Sequence, residues 1–461
     1  MFLRIKNNSP ESTGEHYITD FIVPPSKSHS IRALILAALA EKPSLIKNLL
    51  ISGDTESAVS VLKMLGVKIN IFKHVNGSSS ARVIPPAGGI RRFLCERQSV
   101  SGGEPFTVNS GNSGSLFYFL GIILSAIPVH FILTGDASIS KRPVLPLTEI
   151  YDALGIKYEF LTDKKSAPLK VFGRDIAAFA ADTVLMLNGD FSQPITGLLI
   201  SSVFHKRKLS IHLKTAGELP YLKMTVEWLR LCGITLKVSS NFKNFEIPCG
   251  QNITEFTKTI PSDWSSAAFP IAAALVSNSK MKLKNMDICD VQGDCGIIHI
   301  LKKMNAEIYY NKSKKELRVL PSLNKLQGGQ FDLSSMPDSL PALSAIACFA
   351  RSKTMFTNIA ICRFKECDRI AAICSELRKF GAEIEEGKDF LIINGSGGKN
   401  LHPSKVFSYG DHRIAMMLIA VSAGISKHED FCIIKDAECI NITYPEFIEN
   451  ISKSGLCKVV F

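Results

Sequence analysis

The sequence predicts an α/β fold of two domains, each made of three copies of one mixed helix–strand unit. Three observations carry this. The chain has 461 residues, 46% hydrophobic and 21% charged, a composition that builds large cores and excludes disordered, collagen-like and coiled-coil classes. One short pattern, an amphipathic helix end, then Gly (Asn in one copy), then a strand opening, occurs six times. The repeat spacing, near 75 residues, exceeds the 20 to 50 of a solenoid and accommodates about two helices and several strands per unit.

The six copies are Leu62–Lys68, Tyr151–Lys157, Leu229–Thr235, Leu301–Glu307, Leu377–Glu383 and Ile451–Cys457. Their key positions are Gly66, Gly155, Gly233, Asn305, Gly381 and Gly455, spaced 89, 78, 72, 76 and 74 residues apart. Asn and Gly both tolerate the left-handed conformation needed just past a helix C-terminus, so Asn305 keeps the same job. A break after the third unit falls at Ile260-Pro261-Ser262-Asp263, where Ser262 or Asp263 caps a helix through Ala267 to Val276. The stiff, extended Pro24-Pro25 marks the other crossover. The predicted domains are therefore 25–262, and 1–24 with 263–461.

Along the chain, Met1 to Ser9 has no apolar run before a cleavage site, and twelve cysteines contain no C-x-x-C pair or zinc-finger spacing. Reduced thiols in a cytoplasmic location are expected. The apolar stretch Phe117 to Leu133, broken by Ser125, Pro128 and His130, is shorter than the ~20 residues of a membrane span and reads as a buried helix followed by a strand. Lys27, Ser28 and Arg32 open a helix after Pro24-Pro25, where backbone N–H groups and cationic side chains suit a carboxylate or phosphate. Asn109-Ser110-Gly111-Asn112-Ser113-Gly114-Ser115 is a glycine-rich loop running into the next apolar helix. Further on, Arg142-Pro143, Lys365-Glu366-Cys367-Asp368-Arg369 and Asp411-His412-Arg413 place carboxylates and arginines together. The net charge of +12 favours anionic partners, and the lack of a basic stretch interleaved with aromatics argues for small anions over nucleic acid.

Together these segments resemble the enolpyruvyl transferase family of 3-phosphoshikimate 1-carboxyvinyltransferase (EPSP synthase), from Val23 to about Glu449. The matching segments are Pro25–Ala33, Gly111–Ser115, Leu133–Pro143, Ser192-Gln193, Asp263–Ala268, Met336–Ser339, Arg363–Ala372 and Gly410–Met417. The resemblance implies a two-domain inside-out α/β barrel of six βαβαββ units, three per domain, with the active site in the cleft between them. It implies transfer of the enolpyruvyl group of phosphoenolpyruvate to the 5-hydroxyl of 3-phosphoshikimate, in the shikimate pathway, with no metal or redox cofactor. No nucleic-acid or membrane partner is expected, and a monomer is.

Carried over by motif, the catalytic residues are Lys27, Asp338, Glu366 and His412. Phosphoenolpyruvate is assigned to Lys27, Gly114, Arg142, Gln193, Arg369 and Arg413. The 3-phosphoshikimate contacts are Lys27, Ser28, Arg32, Ser192, Gln193, Tyr221, Asp338 and Lys365, with an Arg32 fork on the carboxylate. Four positions depart from the family pattern. Tyr118 stands where Arg is usual and Ile442 where Lys is usual, and in the shikimate-phosphate pocket Phe191 and Glu218 replace serines. Lys435, Lys214 and Lys223 are the cations available to compensate. These departures keep open a relative with another hydroxyl acceptor, or an inactive ligand-binding one.

Overall fold

All six helix ends marked by Gly or Asn turn in the left-handed region: φ is 88° at Gly66, 63° at Gly155, 83° at Gly233, 63° at Asn305, 93° at Gly381 and 72° at Gly455. After each, the chain enters a strand: Lys68–Lys73, Lys157–Phe160, Lys237–Val238, Ile308–Asn311, Glu383–Glu386 and Cys457–Val460. Every one of these is an edge strand of a four-stranded sheet, and the described residues form six such sheets. The structure, a computed structural model of the chain, describes residues 1–7, 19–75, 77–176, 184–425 and 430–460. Residues 8 and 9 of the N-terminal stretch discussed above lie outside them.

Each sheet holds one parallel pair and two antiparallel pairs. A parallel pair needs a crossover, and here it is a buried helix. Phe106–Asn109 leads through the helix Gly114–Ser125 to its parallel partner His130–Thr134. The apolar stretch thus folds as the buried helix and strand expected of it. Strands alternate burial along their length, as at Val184–Leu187 and Leu169–Phe172, so each sheet turns one face inward.

The chain divides into two compact units, Pro25–Ile260, and Met1–Pro24 with Pro261–Phe461. The second crossover comes two residues before the Ser262–Asp263 read from sequence. Ile260 still belongs to the first unit, because its N–H donates to Lys47 O (2.9 Å) and its carbonyl accepts from the Asn48 side chain (2.8 Å). Asp263, the second of the two proposed caps, is the one used, accepting from Ser266 N at 2.8 Å. The crossover strands are exchanged between sheets. Thr19–Phe21 precedes the helix Lys27–Leu39 but pairs with Met281–Leu283, while Thr257–Thr259 precedes the helix Trp264–Val276 but pairs with Ser44–Lys47.

In each unit three apolar helices are buried on nearly all sides, as expected of helices without a polar face. In one unit they are Trp264–Val276, Leu340–Cys348 and His412–Gly424, buried at every position and packed on one another. In the other they are Lys27–Leu39, Gly114–Ser125 and Ser192–Ser201. Here the exceptions are informative: Ser115 and Gln193 are the one residue of each of the latter two helices that is not buried, and both lie in the first turn. No described helix is long and apolar enough to cross a membrane.

The left-handed ends are directly testable. A Cβ at Gly381 meets the Asn400 carbonyl oxygen at 2.5 Å, at φ 93°. Gly381→Ala is expected to lower stability by more than about 1 kcal/mol, whereas Asn305→Gly changes it by less than about half of that. Urea unfolding midpoints of the two variants check this.

Candidate active site

In the unit Pro25–Ile260, the candidate side chains gather at helix starts. Ser26 caps the Lys27–Leu39 helix through His29 N, and Ser113 caps the Gly114–Ser125 helix through Leu116 N. Lys27 Nζ lies 3.0 Å from Asp54 Oδ2, and the Asp54 side chain is only 4% exposed. Asp54 sits in the first turn of the helix Gly53–Met64, where the positive end of the dipole favours a carboxylate. Gln193 Nε2 donates to Ser115 Oγ (3.0 Å), tying two helix starts together. Arg142 lies against the backbone at Gly114, with Nη2 donating to Asn112 O (3.3 Å). A Cβ at Gly114 would stand 2.0 Å from Arg142 Nη1, so glycine is what lets the guanidinium rest on this turn.

Arg32, expected to offer a fork to a carboxylate, is also bonded within its own unit. It is buried, and its Nε donates to Thr225 Oγ1 (3.1 Å), Nη1 to Ser28 O (3.1 Å), and Nη2 to Thr196 Oγ1 (3.4 Å) and Tyr221 O (3.2 Å). Four of its five N–H groups are therefore bonded within the unit, and the two-point fork offered to a carboxylate is used internally. The ring of Phe119 lies 5.0 Å from its guanidinium carbon. Burial lowers the Arg32 pKa to about 10, with Tyr221 and Glu218 opposing the shift. Ser28 and Tyr221 join this network through their carbonyls, and Thr225 Oγ1 donates to the same Tyr221 O at 2.9 Å.

The departures from the family pattern each have a structural use. Tyr118 is buried and its hydroxyl donates to Pro143 O (2.6 Å), next to Arg142. Phe191 stands at the N-cap of the Ser192–Ser201 helix and offers no side-chain acceptor. Glu218 supplies one from the following helix: its Oε2 accepts from Ser192 Oγ (2.9 Å) and Ser192 N (3.3 Å).

In the other unit, one guanidinium organises the charges. Arg369 is 1% exposed; its Nε donates to Asp411 Oδ2 (2.8 Å), Nη1 to Asp338 Oδ1 (2.8 Å) and Nη2 to Glu366 Oε2 (2.5 Å). Arg413 Nη2 lies 3.1 Å from Asp338 Oδ2 and donates to Ser265 Oγ (3.0 Å), while its Nη1 donates to Asp338 O (3.2 Å). The starts of all three buried helices of this unit are thereby joined. Asp411 caps its helix through Arg413 N (2.8 Å) and His412 follows it, buried.

These contacts set the protonation of the carboxylates. Burial pushes the Asp338 pKa up, but Arg413, Lys365 and Arg369 outweigh it and hold the group well below the usual carboxylate range. Burial lowers the Arg369 pKa, but its three carboxylates outweigh burial and raise the group well above the ordinary guanidinium value. Asp294, in the turn Gly293–Gly296, accepts from Ser339 Oγ at 2.6 Å. Burial first, then the Asp338 charge, raises Asp294 to about 7. One acid of this pair is thus ionised at neutral pH, while its neighbour still holds a proton in a substantial fraction of molecules.

The structure brings Lys27, Ser28, Arg32, Gly114, Arg142, Ser192, Gln193 and Tyr221 to linked helix starts in one unit. It brings Asp338, Glu366, Arg369, His412 and Arg413 together in the other, where Lys365 acts on Asp338 electrostatically. Asp54 and Asp294 escape a sequence reading, although Ser52-Gly53-Asp54 does carry the signal of an acidic helix start. Of the cations available to compensate, Lys223 lies over the Phe242 ring (5.7 Å) and Lys435 over the Phe2 ring (5.8 Å). Ile442 packs on the apolar core.

The EPSP synthase (3-phosphoshikimate 1-carboxyvinyltransferase) family model matches residues 18–451. The 3-phosphoshikimate 1-carboxyvinyltransferase of Ruminiclostridium cellulolyticum is 34% identical over 437 residues, covering 94% of this chain and 95% of the relative. That of Methanocaldococcus jannaschii is 34% identical over 439 residues, covering 94% of each. Among solved structures, EPSP synthase from Acinetobacter baumannii has a TM-score of 0.75 at 22% identity with both chains fully covered. The enolpyruvyl transferase NikO from Streptomyces tendae has a TM-score of 0.74 at 14% identity, covering 100% and 98%; both share the α/β fold. By this match over nearly its whole length, the chain belongs to the EPSP synthase (3-phosphoshikimate 1-carboxyvinyltransferase) family.

Proposed function

We propose that the chain transfers the enolpyruvyl group of phosphoenolpyruvate to the 5-hydroxyl of 3-phosphoshikimate and releases inorganic phosphate. The observation that carries this reading is the pairing of Asp338 with both Arg369 and Arg413. A carboxylate held by two guanidiniums is ionised but a weak base. When anionic substrate groups engage those guanidiniums, the field on Asp338 weakens and its proton affinity rises toward what a general base needs. Substrate binding itself then arms the base.

In the first step the 5-hydroxyl oxygen bonds to C2 of phosphoenolpyruvate. Its proton passes to Asp338, while C3 gains a proton from Glu366, which takes one up once phosphoenolpyruvate engages Arg369, to become a methyl group. In the second step the C2–phosphate oxygen bond breaks, C3 returns its proton to Glu366, the enol ether forms, and the leaving phosphate takes up the proton held by Asp338. Lys27, kept in place by Asp54, neutralises charge on the phosphate and assists the proton at C3. Arg142, on the Gly114 turn, together with Arg369 and Arg413, takes the carboxylate and phosphate of phosphoenolpyruvate. Gln193 is assigned to both substrates, and Ser28, Arg32, Ser192, Tyr221 and Lys365 to the acceptor, with Arg32 offering a single N–H. His412 lies beside Arg413 in this scheme. A monomer acting in the cytoplasm fits the same reading.

Phosphate release from phosphoenolpyruvate, assayed with 3-phosphoshikimate, with shikimate and with no acceptor, tests the proposal. Release that depends on 3-phosphoshikimate is expected. In the same assay Asp338→Asn is expected to lower kcat by about 10²- to 10⁴-fold with the secondary structure kept; full activity would remove Asp338 from the scheme. Gly114→Ala pushes the Arg142 guanidinium off its turn and is expected to raise KM for phosphoenolpyruvate about tenfold, with a smaller effect on KM for the acceptor.

The raised Asp294 pKa has a consequence for stability. A group raised in the folded state contributes stability that is full below its ordinary pKa of 3.8 and is lost as pH rises through about 7. Relative to Asp294→Asn, the natural chain should therefore lose at least about 1 kcal/mol of stability between pH 4.5 and 7.5. Urea unfolding of both proteins at the two pH values measures it; parallel changes would place the Asp294 proton elsewhere.

A further inference from the structure

Glu218 combines several unusual features. It is a non-glycine residue at φ 47° and ψ 43°, a left-handed backbone in which Glu is uncommon. It stands at the N-cap of the helix Leu219–Leu231, yet its side chain does not cap that helix. The carboxylate instead reaches the start of the Ser192–Ser201 helix and accepts both the N–H and the hydroxyl of Ser192 on one oxygen. Glu218 is 7% exposed. A helix start with free N–H groups is a place for an anion, and Phe191, at the cap, supplies none. The protein has therefore put an anion of its own there. Its charge is felt by Arg32, which supports the positive form of that guanidinium against burial.

Ser192 and Tyr221 are assigned to the acceptor in the reading above, and the present inference rests on that reading. We propose that Glu218 is a specificity-determining residue, a resident carboxylate that an acceptor's phosphate group must displace from Ser192, whereas an uncharged hydroxyl at that point donates to it. Like charges forced together at a buried site cost affinity, and a donor meeting a carboxylate gains it. Glu218 thus narrows the preference for phosphorylated over unphosphorylated acceptors, and it does so through charge rather than shape.

Two variants separate this from a purely structural cap. Glu218→Gln keeps the length and an oxygen acceptor for Ser192 while removing the charge. Glu218→Asn suits the left-handed backbone and also removes it. Titration calorimetry of the full chain with 3-phosphoshikimate and with shikimate reads the effect without requiring turnover, so a failure of the proposed reaction is seen separately in the phosphate-release assay. The expected result is at least about tenfold tighter binding of 3-phosphoshikimate in both variants, with shikimate changed by less than about threefold. The proposal is overturned if 3-phosphoshikimate binds the variants no more tightly than the natural chain. It is also overturned if both ligands shift together, the mark of a cap whose loss merely loosens the helix start.

Discussion

Arg369 donates to Asp338, Glu366 and Asp411 while almost wholly out of contact with water. Removing one partner of a buried ion pair typically costs about 3 to 5 kcal/mol, because the remaining charge has no solvent to turn to. Here a single guanidinium serves three acids, one of which caps a buried helix and two of which carry the proposed proton transfers. The charges of this unit are arranged around that one side chain. Asp338 is ionised because Arg413, Lys365 and Arg369 act on it, and Asp294 is raised to about 7 first by burial and then by the Asp338 charge beside it. Identical acids are shifted in opposite directions by their surroundings.

That geometry follows from packing. Helices made of Ala, Leu, Ile and Val on all sides are driven into the interior, and each leaves an unpaired set of N–H groups at its start. Small polar residues, Ser26, Ser113, Asp263 and Asp411, satisfy part of each set. Side chains in the first turns tie neighbouring starts together, through Gln193 and Ser115 in one unit and Arg413 and Ser265 in the other. Because these starts meet, anion-binding groups from distant parts of the sequence meet as well. The same need explains Glu218: where Phe191 removes a cap, another residue has to provide the acceptor.

The positions that depart from the family pattern are absorbed differently. Tyr118 is buried with its hydroxyl on a backbone carbonyl, and Ile442, partly buried, packs against apolar side chains. These two exchanges remove charge. Lys223 and Lys435, cations able in principle to replace them, lie over the rings of Phe242 and Phe2. Glu218 differs in kind, because it adds a charge at a helix start instead of removing one.

How much of this was legible beforehand depends on the range of the interaction involved. Left-handed helix ends, helix caps and the alternation of apolar residues are decided within a few residues, and the six Gly or Asn positions and the buried run after Gly114 could be read directly. Motifs placed Lys27, Arg142, Asp338, Glu366, Arg369 and Arg413 among the candidate residues for the same reason, since each lies in a recognisable short segment. Tertiary structure alone decided that Arg32 uses its N–H groups on Thr196, Thr225 and Tyr221, that Asp54 holds Lys27, and that Asp294 neighbours Asp338. It also decided the exchange of crossover strands, which pairs Thr19–Phe21 with Met281–Leu283 some 260 residues later. Local sequence determines which conformations and side chains are available; which donor meets which acceptor is settled only when buried helices choose their neighbours, because a hydrogen bond is worth little until water has been excluded from around it.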